Sequence, residues 1–136
     1  MDCEQKDDDT IPNDCLLLRR VPYKPDFYII WDDNKKSWRP SSAAFRDHPN
    51  GSDMSIVLGC ILELSGRPYT DVLVGHDSFS LAAITTKVAR DNGQKVIKDP
   101  LPQEPAHGLV AGDKKKASKN MAREAQWIVP APDPHK

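Results

Sequence analysis

The spacing of apolar residues changes several times along the chain, and each change predicts a separate element of structure. Residues 78–92 carry apolar side chains three or four positions apart, which predicts one helix with a buried face. Those side chains are Leu81, Ile84 and Val88. Asp77 or Ser78 can cap the start of this helix, and Asn92-Gly93 supplies the left-handed residue that ends it.

Short runs rich in β-branched and aromatic residues predict strands, because such side chains fit a pleated, partly buried surface. The runs are residues 15–21, 27–31, 37–39, 71–74, 94–98 and 106–110. The polar turn at residues 32–36 predicts a hairpin that brings Trp31 and Trp38 near one another.

The most apolar segment, residues 54–66, is thirteen residues long and exceeds the usual length of a strand. A glycine in its middle, Gly59, weakens a continuous helix. The segment therefore predicts a strand through Leu58, followed by a short helix from about Gly59 to Leu64.

These elements together predict an α+β fold with a small, mainly antiparallel sheet of five or six short strands. One packed helix over 78–92 and a peripheral C-terminal helix over 113–126 complete it. Shifts in composition divide the chain into three expected parts. They are a disordered acidic segment at 1–14, an α+β core at 15–112, and a basic helix with a proline-rich tail at 113–136.

The net charge of −1 gives no overall field that would attract nucleic acid or an anionic membrane, but the charge is unevenly placed. Residues 1–14 hold six acids and one lysine, whereas residues 113–126 hold five bases and two acids. The sequence has no apolar run of transmembrane length, and its first residues are acidic where a signal peptide is basic. We therefore expect a cytoplasmic protein without a membrane partner.

The spacing of cysteines and glycines limits the kinds of site that the sequence predicts. Cys3, Cys15 and Cys60 share no C-x-x-C spacing of the kind that predicts a zinc site, and their odd number favours no disulfide framework. We expect reduced thiols, with Cys60 in the core. Phosphate loops of the G-x-G-x-x-G and G-x-x-x-x-G-K kinds do not occur in the sequence. No cofactor and no metal ion is predicted.

Two adjacent arginines, Arg19 and Arg20, occupy the first predicted strand. Because the strand is apolar, one of them must point inward or along a sheet edge, where it needs an acid or a bound phosphate as partner. The structural alternative pairs that arginine with Asp26 or Asp71, and it leaves no role for a ligand.

Three histidines stand beside acids in the sequence, and a metal or acid–base site would require the fold to assemble them. His107 is the best candidate, since Glu104 is close enough to set its tautomer. His48 and His76 are the other two, and the alternative interpretation leaves them as ordinary loop residues.

Arg19 or Arg20, a serine of Ser41-Ser42, and Glu104 follow one another in the order found in small sheets that bind NAD and transfer ADP-ribose. The His-Gly-Thr and Gly-Arg-Trp-Asn signatures of such proteins are missing. In this hypothesis the catalytic residues are Arg20, Glu104 and His107. The alternative role for Ser41 and Ser42 is helix capping or a turn.

The segment 114–127 offers a second kind of site, because Lys115, Lys116 and Lys119 can contact phosphates and Trp127 can stack on a base. The alternative interpretation is a solvated helix face.

The leading hypothesis is a small binding or adaptor protein that contacts a protein partner through its charged ends and its tryptophans. Those tryptophans are Trp31, Trp38 and Trp127. Whether the protein is an enzyme stays open.

Overall fold

The computed structural model describes residues 6–24, 26–76 and 78–130. The strands are β1 (Leu16–Pro22), β2 (Ile29–Asp32), β3 (Ser37–Pro40), β4 (Met54–Leu58), β5 (Phe79–Thr85), β6 (Lys95–Lys98), β7 (His107–Ala111) and β8 (Gln126–Val129). The α-helices are α1 (Gly59–Leu64), α2 (Thr86–Asp91) and α3 (Ala117–Glu124). A first 3₁₀ helix spans Ser42–Phe45 and a second spans Tyr69–Leu73.

Six strands form one antiparallel sheet in the order β6-β7-β4-β1-β5-β8, and β2 pairs with β3 in a separate hairpin. This arrangement confirms the predicted α+β fold with a small antiparallel sheet. Apolar side chains cover both faces of the sheet, as two core clusters. We call them the helix-side face, which carries α2, α3, the hairpin and the first 3₁₀ helix, and the cleft-side face, which carries the second 3₁₀ helix.

The predicted helix over 78–92 is wrong for its first half, because residues 79–85 form β5 and only Thr86–Asp91 are helical. The strand is buried on both faces, with Leu81 in the cleft-side cluster and Ile84 in the helix-side cluster. A strand covered on both faces shows no apolar and polar alternation. The cap is also different from the expected Asp77 or Ser78, since Thr85 Oγ1 accepts the Val88 amide hydrogen at 3.2 Å.

The change from strand to helix within residues 54–66 is confirmed, with β4 ending at Leu58 and α1 beginning at Gly59. Gly59 lies against β1, where an added Cβ would meet the Leu16 carbonyl oxygen at 3.0 Å. Residues 71–74, predicted as a strand, belong instead mostly to the second 3₁₀ helix. The hairpin prediction is confirmed, since Trp31 pairs with Trp38 across β2 and β3.

The C-terminal helix is shorter than predicted but packs firmly. Ala117, Met121 and Ala125, the predicted apolar stripe, are all at most 7% exposed. The helix leads into β8, which pairs with β5 and adds an edge strand to the sheet. The end of the helix is therefore fixed to the core.

The acidic lead-in also differs from the expectation of a disordered segment over the residues that the structure describes. Ile11 is 1% exposed and belongs to the helix-side core. Asp7 contacts Arg90 Nε at 3.0 Å and accepts the Val96 amide hydrogen at 2.8 Å. Residues 6–14 thus pack beside α2 and β6, while residues 1–5 and the tail at 131–136 lie outside the described residues.

Cys15 and Cys60 form a disulfide that joins the start of β1 to the first turn of α1. The prediction of reduced thiols is therefore wrong for this pair. The sequence did not reveal it because the two residues are 45 positions apart, and only the packing of α1 on β1 brings them together. Cys60 is partly buried against the core, as expected.

Candidate functional site

The sheet opens between its two central strands. β1 and β4 pair over only Leu17↔Leu58 and Leu18↔Val57, and beyond those residues the strands separate. A small cleft of about 50 Å³ lies at this opening. It is lined by Leu18, Arg19, Arg20, Ser55, Ile56, Val57, Val72 and His107.

The side chains of the two β1 arginines project from opposite faces of the sheet. Arg19 is the one that points inward, as predicted for one of the two. Its guanidinium donates to the Ala44 carbonyl at 2.9 Å and to the Ser55 carbonyl at 2.7 Å. Burial lowers the pKa of Arg19. Its partners are backbone oxygens, so neither Asp26 nor Asp71 plays the part expected of it.

Arg20 projects from the cleft-side face. Its Nη1 lies 2.6 Å from His76 Nε2, and because arginine can only donate, the histidine nitrogen is the acceptor. The same Nη1 approaches the Val72 carbonyl at 3.4 Å. The acidic neighbour in sequence, Asp77, lies outside the described residues.

His107 is held by Asp99 rather than by Glu104, which corrects the sequence interpretation. Its Nδ1 is 3.1 Å from Asp99 Oδ2 and 3.0 Å from the Asp99 carbonyl oxygen. Asp99 directly follows β6, which pairs with β7, so the two residues face each other across a hairpin. Pairing the two predicted strands as a hairpin would have found this partner.

The carboxylate of Glu104 is bound by another arginine, Arg67. Arg67 donates to both of its carboxylate oxygens, at 2.7 and 2.8 Å, and to Asp71 at 2.8 Å. These hydrogen bonds hold the pKa of Glu104 below its usual range and raise that of Arg67. Glu104 also accepts the Ala106 amide hydrogen, so it fixes the loop before β7.

A second and larger concavity, the basic groove, lies on the helix-side face. It encloses about 490 Å³ between the hairpin, the first 3₁₀ helix and α3. It is lined by Asp26, Phe27, Ile30, Arg39, Ser41, Ser42, Ala43, Arg46, Lys119, Ala122 and Arg123. Three residues predicted from the sequence therefore line the groove and not the cleft: Ser41, Ser42 and Lys119.

Four basic side chains and one acid give the basic groove a positive charge. Arg39 is engaged, since it donates to Asp32 and to the Pro40 carbonyl, each at 2.9 Å. Arg46, Lys119 and Arg123 are exposed, and the described residues provide no ion pair for any of them. Lys119 and Arg123 are one helical turn apart, a spacing that could have identified this face in the sequence.

Ser41 has the capping role that the alternative interpretation gave it. Its hydroxyl accepts the Ala43 amide hydrogen at 3.2 Å and donates to the Phe27 carbonyl. Ser41 is buried and its hydroxyl both donates and accepts a hydrogen bond, whereas Ser42 is partly exposed beside it. The groove wall is thus rigid where the 3₁₀ helix begins.

The remaining basic residues of segment 114–127 separate into two groups. Lys114 is buried and donates to Asp47, to the Val110 carbonyl and to the Gly112 carbonyl within 3.0 Å. Lys115 and Lys116 are exposed at the start of α3. Lys114 therefore has a structural role, and only the exposed lysines are free to meet a phosphate.

The tryptophans do not form one exposed surface. Trp31 is 48% exposed and meets Trp38 edge to face at 5.7 Å. Trp38 and Trp127 pack against the helix-side core, and the Trp127 indole donates to the Trp38 carbonyl at 3.0 Å. Phe27, 53% exposed at the basic groove, is the aromatic residue that the sequence analysis missed.

Comparisons with models of protein families, with curated proteins and with solved structures found no match for this chain. Among the described residues, no group of three or more histidine, cysteine or acidic side chains could hold a metal ion. No helix in the same part of the chain is long and apolar enough to cross a membrane. The cleft and the basic groove are therefore the features of this chain that bear on its function.

Proposed function

We propose that this protein is a binding protein whose basic groove holds a phosphate-bearing ligand, with single-stranded nucleic acid as the favoured class. The observation that carries this proposal is the cluster of Arg46, Lys119 and Arg123, which lie on one concave surface without an ion pair from the described residues. Exposed cations at a concave surface raise the local concentration of anions and guide them inward.

The size and the aromatic lining of the basic groove support the same ligand class. A volume of about 490 Å³ lies within the range of sites that enclose a small ligand. Phe27 stands at the edge with half of its surface exposed, and a base can stack on such a ring while arginines contact the flanking phosphates. Basic and aromatic side chains together are typical of grooves that hold single strands.

The test is fluorescence anisotropy with a labelled single-stranded oligonucleotide, measured over a series of salt concentrations. We expect affinity to fall steeply with salt, since each phosphate contact releases a bound counterion. Arg46→Ala, Lys119→Ala and Arg123→Ala should each weaken binding and reduce the slope of log affinity against log salt by about 1. Phe27→Ala should weaken binding by about 1–3 kcal/mol without changing that slope.

Lys98→Ala provides the matched control, because Lys98 is an exposed lysine on β6, at the edge of the sheet, outside the groove. It should bind the oligonucleotide as the parent protein does. Absence of binding at low salt, or binding that salt does not change, would contradict the proposal. A free mononucleotide in the same assay separates a nucleotide site from a strand site.

A protein partner, the leading hypothesis from sequence, is a second candidate that one observation favours. Trp31 is a large apolar side chain that is 48% exposed on the hairpin, where an interface could bury it. If this surface binds a partner, Trp31→Ala should abolish capture of that partner from cell extract while leaving oligonucleotide binding unchanged. Equal capture by the variant would remove this candidate.

A further inference from the structure

The Asp99–His107 pair is arranged as a general base, and the proposed groove does not use it. Both groups near His107 Nδ1, at 3.0 and 3.1 Å, are acceptors. The proton of the neutral ring therefore sits on Nδ1, and Nε2 carries the lone pair. Within the described part of the chain, Nε2 has no hydrogen-bond partner.

Ser55 lies on the adjacent strand, on the same face and beside the same cleft as His107. His107 pairs with Val57, and Ser55 is two residues further along β4, which returns it to the same face of the sheet. Such diagonal neighbours lie about 7–8 Å apart across the two paired strands, a distance that a histidine side chain can span. Ser55 is exposed, and no hydrogen bond from the described residues engages its hydroxyl.

Arg20 lines the opposite wall of the cleft and supplies positive charge there. Among the described residues, His76 and the Val72 carbonyl contact one of its terminal nitrogens, Nη1. A guanidinium beside a hydroxyl and a histidine can stabilise the negative oxygen that develops when an acyl group is attacked. The cleft, at about 50 Å³, has room for the reacting end of a substrate, while the rest of the substrate would lie outside it.

The geometry points to a second activity at this cleft, on the face opposite the groove: hydrolysis of a small carboxylic ester. Ser55 Oγ attacks the ester carbon while its proton passes to His107 Nε2. The carbon–oxygen bond to the alcohol then breaks, and the alcohol leaves with the proton from His107. Water attacks the acyl group on Ser55, His107 takes a proton from that water, and the acid leaves as Ser55 regains its proton. Asp99 is a positioning residue that holds the His107 tautomer.

The test is covalent labelling of the full chain with a fluorophosphonate, followed by mass spectrometry of its peptides. Attack by Ser55 forms an oxygen–phosphorus bond and releases fluoride, so an adduct on Ser55 is the expected result. Ser55→Ala should remove the adduct, and His107→Gln should slow labelling by about 100-fold or more. Asp99→Asn should slow labelling, and Asp99→Glu should restore part of the rate while both variants melt at similar temperatures.

A matched control separates this proposal from general serine reactivity. Ser52→Ala, at an exposed turn serine outside the cleft, should leave the labelling rate unchanged. An adduct on a different serine, no adduct at all, or an unchanged rate in a folded Asp99→Asn or His107→Gln variant would overturn the proposal. The proposal would also be overturned if Ser55→Ala hydrolysed p-nitrophenyl acetate as fast as the parent protein does.

Discussion

The two faces of the sheet both hold clusters of charge, but they use them differently. On the cleft-side face the arginines are engaged, with Arg67 bound to Glu104 and Asp71, and Arg20 bound to His76. In the basic groove, Arg46 and Lys119 have no ion pair among the residues that the structure describes. Charged side chains that are hydrogen-bonded within the fold hold neighbouring elements in fixed positions, whereas exposed charges without such bonds contribute little to folding and remain available to a ligand.

Arg19 connects the two regions. The Arg19 guanidinium reaches from β1 to Ala44 on the helix-side face, while the Ser55 carbonyl that it also contacts belongs to the cleft. Cys15 and Cys60 fasten the opposite end of the same strand. Removing structural contacts should therefore lower stability, whereas removing groove charges should not.

The largest effect should follow reduction of the disulfide. Cys15 and Cys60 are 45 residues apart, and a crosslink over a loop of that length constrains the unfolded chain by about 3–4 kcal/mol. Urea unfolding with and without dithiothreitol measures the change. In a variant with both Cys15→Ser and Cys60→Ser, dithiothreitol should not change the unfolding free energy. If the reductant changed the stability of this variant and of the parent protein equally, that result would contradict the pairing.

Removal of Arg19 should be the next most costly change. Arg19→Ala leaves the Ala44 and Ser55 carbonyls without this donor, and we expect a loss of about 2–3 kcal/mol in unfolding free energy. Arg20→Ala is the matched control on the neighbouring residue, where exposure limits the loss to about 1 kcal/mol. Urea unfolding measures both variants. Equal losses of unfolding free energy would show that Arg19 contributes no more to stability than Arg20 does.

Replacement of Glu104 should produce a smaller and pH-dependent loss. Because its pKa is lowered in the folded state, Glu104 stabilises the protein above its unfolded pKa of about 4.3, and this contribution disappears as the pH falls through the folded pKa. Glu104→Gln should cost about 1–2 kcal/mol at neutral pH and less in acid. Thermal melting from pH 3 to pH 7 tests this, and parallel curves would refute it.

The smallest effect on folding should come from the basic groove. Arg46→Ala, Lys119→Ala and Arg123→Ala should each change unfolding free energy by no more than about 0.5 kcal/mol, because these exposed side chains hold no ion pair with the described residues. Urea unfolding of the same preparations used for oligonucleotide binding provides the measurement. A marked loss of stability would assign these residues a structural role.

The sequence was sufficient where the signal was local. The β4-to-α1 transition at Gly59 and the tryptophan hairpin were both predicted, because length, glycine position and turn composition act within a few residues. It failed at β5, where Leu81, Ile84 and Val88 happen to recur at helical spacing although the strand is buried on both faces. That burial depends on partners elsewhere in the chain.

The candidate sites show the same limit. Arg20 and His107 do line one cleft. Ser55, which lines it as well, and Asp99, which contacts His107, are brought there by strand pairings that composition does not reveal. The groove depends on the packing of α3 against the first 3₁₀ helix, which brings Lys119 beside residues 26–46. Long-range contacts of this kind are set by topology.

The position of β1 has a consequence for how the chain folds. This strand precedes all the others yet occupies the middle of the sheet, beside β4 and β5. Its neighbours begin at Met54 and Phe79, so no short hairpin can nucleate the central ladder. Two large loops must close before these strands meet, and loop closure costs entropy before any contact is gained. Refolding should consequently be slow for a protein of this size, in the range of milliseconds to seconds.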